Sequence, residues 1–331
     1  MKLKTFNEFV TENTEETNRK VQFLRLVPVR SYTDNKSLIT LTEKAAERFY
    51  EEYVLEDYED DYTPLKESLK NDRPILYYGS KSGPTSTFIN EYISKNKNLV
   101  YNHPSEQEKS GDKVKFHQVL EGTNLTPKTV FSVKEAKDLD YPIIAKPAEG
   151  MSGEGIEKFE TFDDLKKSDG KFDLYSEFVD FDREFRGLFV KDKMAVIFER
   201  VPIIKDNKTV GTKKRDEKLS FVYLEQDSKA LKFLPKLKEM TEKFNEKIKL
   251  DVFSLDFFLE KNGSLSLIEA NASSGLGANS LVSVYECVYD DFYKEELTKE
   301  DKEFREFVKD NYNMAIKLEY PKEYKNSLSP K

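Results

Sequence analysis

Apolar residues along this chain switch repeatedly between a period of two and a period of three to four. Short apolar runs predict strands over 21–27, 74–78 and 98–101, and wider spacing predicts helices near 42–56 and over 85–95. Strands alternating with helices imply a small parallel α/β domain spanning 21–110. Beyond Gly111-Asp112-Lys113 the pattern predicts helix 114–120, strand 129–132, helix 133–138 and strand 141–146. A glycine-rich connection into 155–159, helix 162–167 and strand 174–179 then complete an α+β unit over 111–180. Long alternating runs at 184–190, 194–201 and 219–224 precede a helix near 228–249, with Leu231, Leu234, Leu237, Phe244 and Ile248 on its core face. Residues 283–320 read as helical and close a third unit, 181–320. Residues 1–20, polar after a Phe6/Phe9/Val10 stripe, and 321–331 read as tails. The expected fold class is α/β and α+β.

One place in this pattern allows a register to be computed. Val252–Glu260 and Ser264–Asn271 are apolar runs separated by Asn262-Gly263, a strong hairpin signal because a two-residue type I′ turn needs positive φ at both positions. With those two residues in the turn, Lys261 opposes Ser264, Asp256 opposes Glu269 and Ser254 opposes Asn271. Residues two apart share a face, so Asp256, Glu269 and Asn271 project together. Opposed Cβ atoms lie about 4.5–5.5 Å apart, and like charges there destabilise the pair, which calls for a cation between them. The donors are all oxygen, which suits a hard cation such as Mg²⁺ rather than zinc. A solvated hairpin face with two unrelated acids is the plainer alternative.

Composition narrows the function classes. The chain has 331 residues, enough for two or three cores, and carries 62 acids against 54 bases for a net charge of −8. A surface of that sign is a poor match for nucleic acid. No apolar run approaches the roughly 20 residues of a membrane span, and no secretory signal is visible, so a cytoplasmic protein is expected, with no membrane partner. The acidic run 51–61 reads as a solvated helix end or loop. A single cysteine, Cys287, reads as a small buried hydrophobe and excludes an internal disulfide. With two histidines, His103 and His117, a histidine-based triad is disfavoured.

Further candidate chemistry is spread along the middle of the chain. The loop Gly150-Met-Ser152-Gly153-Glu-Gly155 offers backbone N–H groups with little side-chain obstruction, as a phosphate requires. It fits no nucleotide-loop consensus and joins two strands, so a hairpin tip is the alternative. Lys146 ends the strand before this loop, and Lys113 follows Asp112 at a helix start. Each lysine either reaches a bound phosphate or snorkels to solvent. The backbone of Glu177-Phe178-Val179 is placed to pair with an adenine edge. Glu184 and Arg186 share a strand face; Glu184 is a candidate for ribose hydroxyls, and Arg186 and Arg200 for phosphoryl charge, with an ordinary surface strand charge as the alternative for each.

The order and spacing of these segments resemble the ATP-grasp superfamily of carboxylate:amine ligases over about residues 98–282. The matching segments are Asn102-His-Pro104 leading to Asp112-Lys113, Asn124-Leu-Thr-Pro127, and Pro142-Ile-Ile-Ala-Lys146 before the glycine loop. Tyr175-Ser-Glu-Phe-Val179, Arg183-Glu-Phe-Arg186, and Leu255-Asp256 with Glu269-Ala-Asn271 complete the set. The likeness is strongest to the glutathione synthetase and ribosomal-protein glutamate ligase branch, with a distant echo of D-alanine:D-alanine ligase in Asn271-Ala-Ser-Ser-Gly-Leu276. Two departures are Ser273-Ser274-Gly275, where many relatives have Ser-Pro-Gly, and Ser254, where one ligase branch carries arginine.

The resemblance implies an ATP-grasp fold, two α+β subdomains clasping ATP behind a small parallel α/β domain. It also implies two Mg²⁺ ions, with Mn²⁺ as an alternative, held by Asp256, Glu269 and Asn271, and activation of a carboxylate as an acyl phosphate for attack by an amine. The implied partners are a carboxylate substrate and an amine acceptor, small molecule or peptide terminus, with a homo-oligomer compatible. Lys113, Lys146, Arg186, Arg200 and the glycine loop would then neutralise and cover the phosphates. Two other readings remain open: an ATP-binding structural protein without turnover, and a phosphotransferase that stops before ligation. Lys4-Thr-Phe-Asn-Glu-Phe-Val-Thr-Glu12 resembles short N-terminal segments on proteins of T4-type tailed phages, which implies host cytoplasm or the virion head as the location; a short amphipathic starter helix is the alternative.

Overall fold

The computed structural model describes residues 19–25, 36–58, 61–70, 72–79, 83–95, 100–148, 155–168, 170–202, 204–205, 208–209, 219–224 and 232–319. The chain divides into two compact units. The first holds 1–104, 188–196 and 273–319, and the second holds 105–187, 197–272 and 320–331.

The first unit is built on strands β1 (Val21–Arg25), β2 (Tyr50–Val54), β3 (Ile75–Tyr78) and β4 (Val100–Tyr101), all parallel in the order β2-β1-β3-β4. Its helices are α1 (Lys36–Phe49), α2 (Thr63–Ser68), α3 (Pro84–Lys95), α9 (Ala278–Tyr293) and α10 (Lys299–Glu319), and α9 and α10 both pack on α1. Phe49 stacks on Tyr285 with centroids 4.3 Å apart and meets Phe304 edge-on, which joins the three helices in one aromatic core. The helix expected near 42–56 ends at Phe49, and Tyr50–Val54 is a strand. Tyr50 and Tyr53 are buried, and the acids between them lie at the sheet edge. The 283–320 stretch is two helices, broken where Lys294 takes a left-handed conformation (φ 56°). Cys287 is half-buried, and burial pushes its thiol up to about 12.

The second unit contains two antiparallel sheets, apart from residues 188–196 of one of them, which belong to the first unit. Strands β5 (Thr129–Val130), β6 (Ile143–Lys146), β7 (Glu157–Phe159) and β8 (Leu174–Glu177) run in the order β5-β8-β6-β7. Helices α4 (Pro104–Gly111), α5 (Lys113–Val119), α6 (Val133–Ala136) and α7 (Phe162–Lys167) accompany them. A core of Leu139, Ile143, Ala145, Phe159, Leu165 and Tyr175 sits beneath that sheet. Strands β9 (Phe181–Val190), β10 (Lys193–Pro202), β13 (Leu219–Leu224), β14 (Val252–Glu260) and β15 (Leu265–Asn271) form the other sheet, in the order β13-β10-β9-β14-β15. Strands β11 (Ile204–Lys205) and β12 (Lys208–Thr209) pair separately, and α8 (Leu234–Lys247) packs on β15. Of the core face expected for this helix, Leu237 and Phe244 are buried, as is Ile248 at the C-cap; Leu234 is half-buried, and Leu231 lies outside the described residues. Among the described residues no helix is long and apolar enough to cross a membrane.

Candidate active site

The β14–β15 hairpin carries the acids, and its register is set by two irregularities that offset each other. The turn is not the predicted two-residue one. Gly263 N–H donates to the Glu260 carbonyl and Glu260 N–H to the Ser264 carbonyl, each at 2.9 Å, so Lys261, Asn262 and Gly263 form a three-residue connection with Gly263 at φ +80°. Only glycine adopts that conformation without cost. Leu259 then pairs with Leu265 and Phe257 with Leu267, one residue away from the expected count. An extra residue, Ile268, follows in a β-bulge, after which Asp256 pairs with Glu269 and Ser254 with Asn271. Without the bulge Leu255 would oppose Glu269, and the two acids would lie on opposite faces.

Strand β9 brings guanidinium groups to this hairpin through simple alternation. Arg183 and Phe185 are buried on one side, while Glu184 and Arg186 occupy the other. Arg186 grips Asp256 with both forks, Nε to Oδ1 and Nη2 to Oδ2, each at 2.6 Å. Arg200 from β10 lies 3.6 Å from Asp256 Oδ2 and bonds Glu184. Burial raises the Glu184 carboxyl above its ordinary value, and the Arg200 charge opposes the rise. Burial alone would lower the Arg186 guanidinium; its hydrogen bond and charge contact with Asp256, then Glu269 and Glu184, more than offset that.

Lys146 ends β6, and burial pushes its ammonium down to about 8, with Glu269 opposing the shift and Lys113 adding to it. Glu269 therefore lies within electrostatic reach of both Lys146 and Arg186. Lys113 opens α5, whose start is set by Asp112: its Oδ1 accepts from the N–H of Val114 (2.8 Å) and Lys115 (3.1 Å). Helix α5 packs against β15, and Leu267 N–H bonds the Leu125 carbonyl at 2.8 Å.

A cleft of about 380 Å³ lies at the turn end of the same hairpin, lined by Pro127, Glu177, Phe178, Val179, Asp180, Glu260, Lys261 and Ser266 among others. At about 3.4 Å per strand residue, the acids stand roughly 10–13 Å farther along. Two of the expected backbone contacts are already committed there: Glu177 N–H bonds the Lys128 carbonyl and Phe178 N–H the Pro142 carbonyl, both at 3.0 Å. The Glu177 side chain accepts from Asp140 N–H at 3.1 Å. The carbonyls of this segment and the backbone of Val179 and Asp180 are what it can offer a ligand. Gly150, Ser152 and Gly153 lie outside the described residues.

The structure thus gathers Lys113, Lys146, Glu184, Arg186, Arg200, Asp256, Glu269 and Asn271 around β14–β15, with the 177–179 segment lining the cleft. Two features were not anticipated from the sequence: the pairing of Arg186 with Asp256 and a buried His117 within electrostatic reach of Lys146. The second was open to detection, because His117 stands one helical turn after Lys113.

No protein-family model matches this chain, and no curated protein matches it in sequence. Solved structures do. A D-alanine–D-alanine ligase from Bacillus anthracis superposes with a TM-score of 0.54 at 13% identity, covering 91% of this chain and 99% of the ligase. The same ligase complexed with ATP gives 0.52 at 11% identity over the same shares. An N5-carboxyaminoimidazole synthetase from Staphylococcus aureus complexed with ADP gives 0.53 at 12% identity, covering 82% of this chain and 79% of that one.

The chain has the ATP-grasp fold.

At the β14–β15 hairpin the donor chemistry suits a hard cation. Among the described residues no group of three or more His, Cys, Asp or Glu side chains is placed to hold a metal ion; the donors here are two facing carboxylates and the Asn271 amide, all oxygen. Arg186 uses one lone pair on each Asp256 oxygen, and an ionised carboxylate has about four acceptor sites, so Asp256 retains capacity for a cation.

Proposed function

We propose that this chain is an ATP- and Mg²⁺-dependent ligase that phosphorylates a substrate carboxylate, releases ADP and joins the acyl group to an amine. The observation that carries the reading is Asp256 facing Glu269 across the bulged hairpin, with Arg186, Arg200 and Lys146 around them. The likeness to ligases of this fold, two of them solved with ATP or ADP, supports it.

The nucleotide base occupies the cleft beside Glu177, Phe178 and Val179, Glu184 accepts from the ribose hydroxyls, and the phosphates extend along the hairpin toward the acids. Lys113 and Lys146 bind phosphate oxygens, with Gly150, Ser152 and Gly153 as the covering loop. Asp256, Glu269 and Asn271 would hold the Mg²⁺, two ions in this reading, or Mn²⁺. Bound there, such ions neutralise phosphate charge and align the in-line transfer. Arg186 and Arg200 hold Asp256 in place and present guanidinium charge to the transferred phosphoryl group. The carboxylate oxygen attacks the γ-phosphorus as the bond to ADP breaks; the amine then attacks the acyl carbon and phosphate leaves. No side-chain nucleophile is required, in keeping with two histidines and one cysteine in the chain. The glutathione synthetase-like branch, a cytoplasmic site of action and a tailed-phage source, which the Lys4–Glu12 segment suggests, belong to the same proposal; that segment lies outside the described residues.

The test is release of ADP and phosphate from Mg·ATP with pooled amino acids, short peptides and cell extract, beside Glu269→Gln, followed by mass spectrometry for new amides. Substrate-dependent ADP with a dehydrated adduct is the expected result. ADP with a phosphorylated product and no amide makes the protein a phosphotransferase, and tight ATP binding without turnover in any pool makes it a nucleotide-binding protein only.

A further inference from the structure

His117 is 5% exposed, and its Nδ1 is buried without a hydrogen-bond partner. An unpaired buried ring nitrogen carries its full desolvation cost, and buried polar groups in native proteins are otherwise paired. The position of this one is specific. It stands on α5 one turn after Lys113, on the helix that packs against β15, and it feels the charge of Lys146 from β6. Its ring meets Phe116 edge-on at 5.2 Å, an apolar contact that leaves Nδ1 unanswered. Burial first and Lys146 second push the imidazolium down to about 3, so at neutral pH the ring is neutral and one nitrogen carries a proton. An imidazolium here would be repelled by Lys146. A neutral N–H adds a donor without that repulsion.

We infer that His117 is a neutral hydrogen-bond donor to the phosphate chain held by Lys113 and Lys146, a ligand contact and not a proton carrier. The inference rests on the nucleotide site proposed above. It predicts that a ligand oxygen supplies the partner that the protein does not.

The chain has two histidines, so imidazole ¹⁵N resonances can be assigned with a single variant. Mg·ADP and, separately, inorganic triphosphate are titrated into the full-length protein and into His117→Phe and His117→Asn. The expected result is a ligand-induced shift of a His117 ring nitrogen with the ring remaining neutral. In His117→Phe the ADP dissociation constant rises about tenfold, and in His117→Asn, which keeps an N–H donor, it stays within about threefold of the parent. A purely packing role would leave ADP affinity unmoved in His117→Phe. Parent-like ADP affinity in that variant, or unshifted His117 nitrogens at saturation, overturns the inference while the nucleotide reading stands. If the parent protein binds neither ADP nor triphosphate, both fall. Should His117→Phe fail to fold, the ¹⁵N response of the parent decides.

Discussion

The two faces of strand β9 carry ion pairs of opposite character. On one face Arg183 and Glu199 bond through both forks, Nε to Oε1 at 2.7 Å and Nη2 to Oε2 at 2.5 Å, with side chains only 7% and 8% exposed. The Arg183 guanidinium also lies over Phe185, its carbon 4.9 Å from the ring centroid. On the other face Arg186, Arg200, Glu184 and Asp256 form a wider group, and Glu269 brings a further acid opposite Asp256. Here Arg186 and Arg200 keep 28% and 23% of their side-chain surface. The first pair is closed: one cation, one anion, each answered by the other. The second is wider, with two arginines and three acids, and its guanidinium groups remain reachable. Equal residue types on neighbouring positions therefore differ in access: the pair on one face is buried, and the group on the other, where we propose the chemistry takes place, keeps exposed guanidinium surface.

The largest effect is expected from Arg183→Leu, which strands Glu199 as a buried lone charge. It should cost about 3–5 kcal/mol of stability in urea unfolding, and adding Glu199→Leu should recover most of the loss. A loss under about 1 kcal/mol would mean that the closed pair is no more structural than the open group. On the open face Glu269→Gln should reduce turnover by roughly 10²–10³-fold, comparable to losing a preorganised electrostatic contact. Its stability should change by less than about 1 kcal/mol, because a like charge opposite Asp256 is removed; undiminished ADP release would refute the metal assignment.

Lys146 gives a pH signature. Its folded-state value of about 8 lies below the ordinary 10.5, so the unfolded chain binds more protons between those limits and stability should rise with pH across that window. Nucleotide affinity should move the other way, falling above about pH 8 as the ammonium is lost. In Lys146→Met both pH trends should flatten, and ADP should bind about tenfold more weakly; parallel calorimetry and denaturation curves from about pH 7 to about pH 10 would read this. The smallest effect concerns the turn. Gly263→Ala forces a side chain into a left-handed backbone and should cost about 1 kcal/mol with turnover retained, since the bulge at Ile268 lies between the turn and the acids.

Three features of the site were legible along the chain: the alternation that separates Arg183 from Glu184 and Arg186, the cap at Asp112 that places Lys113, and the opposition of Asp256 and Glu269. These are local or nearly local properties, set by strand period, capping chemistry and one hairpin. The last was reached through a turn one residue too short, and the count came right because Ile268 bulges, a feature no periodicity announces. Other features needed the folded chain. Tyr50–Val54 is a strand because an acidic edge segment takes extended form by pairing with β1. Arg186 holds Asp256 from seventy positions away, and His117 lies buried within electrostatic reach of Lys146. Those facts depend on which strands become neighbours in a sheet, and that is set by packing across the whole unit and not by the spacing of residues along any one segment.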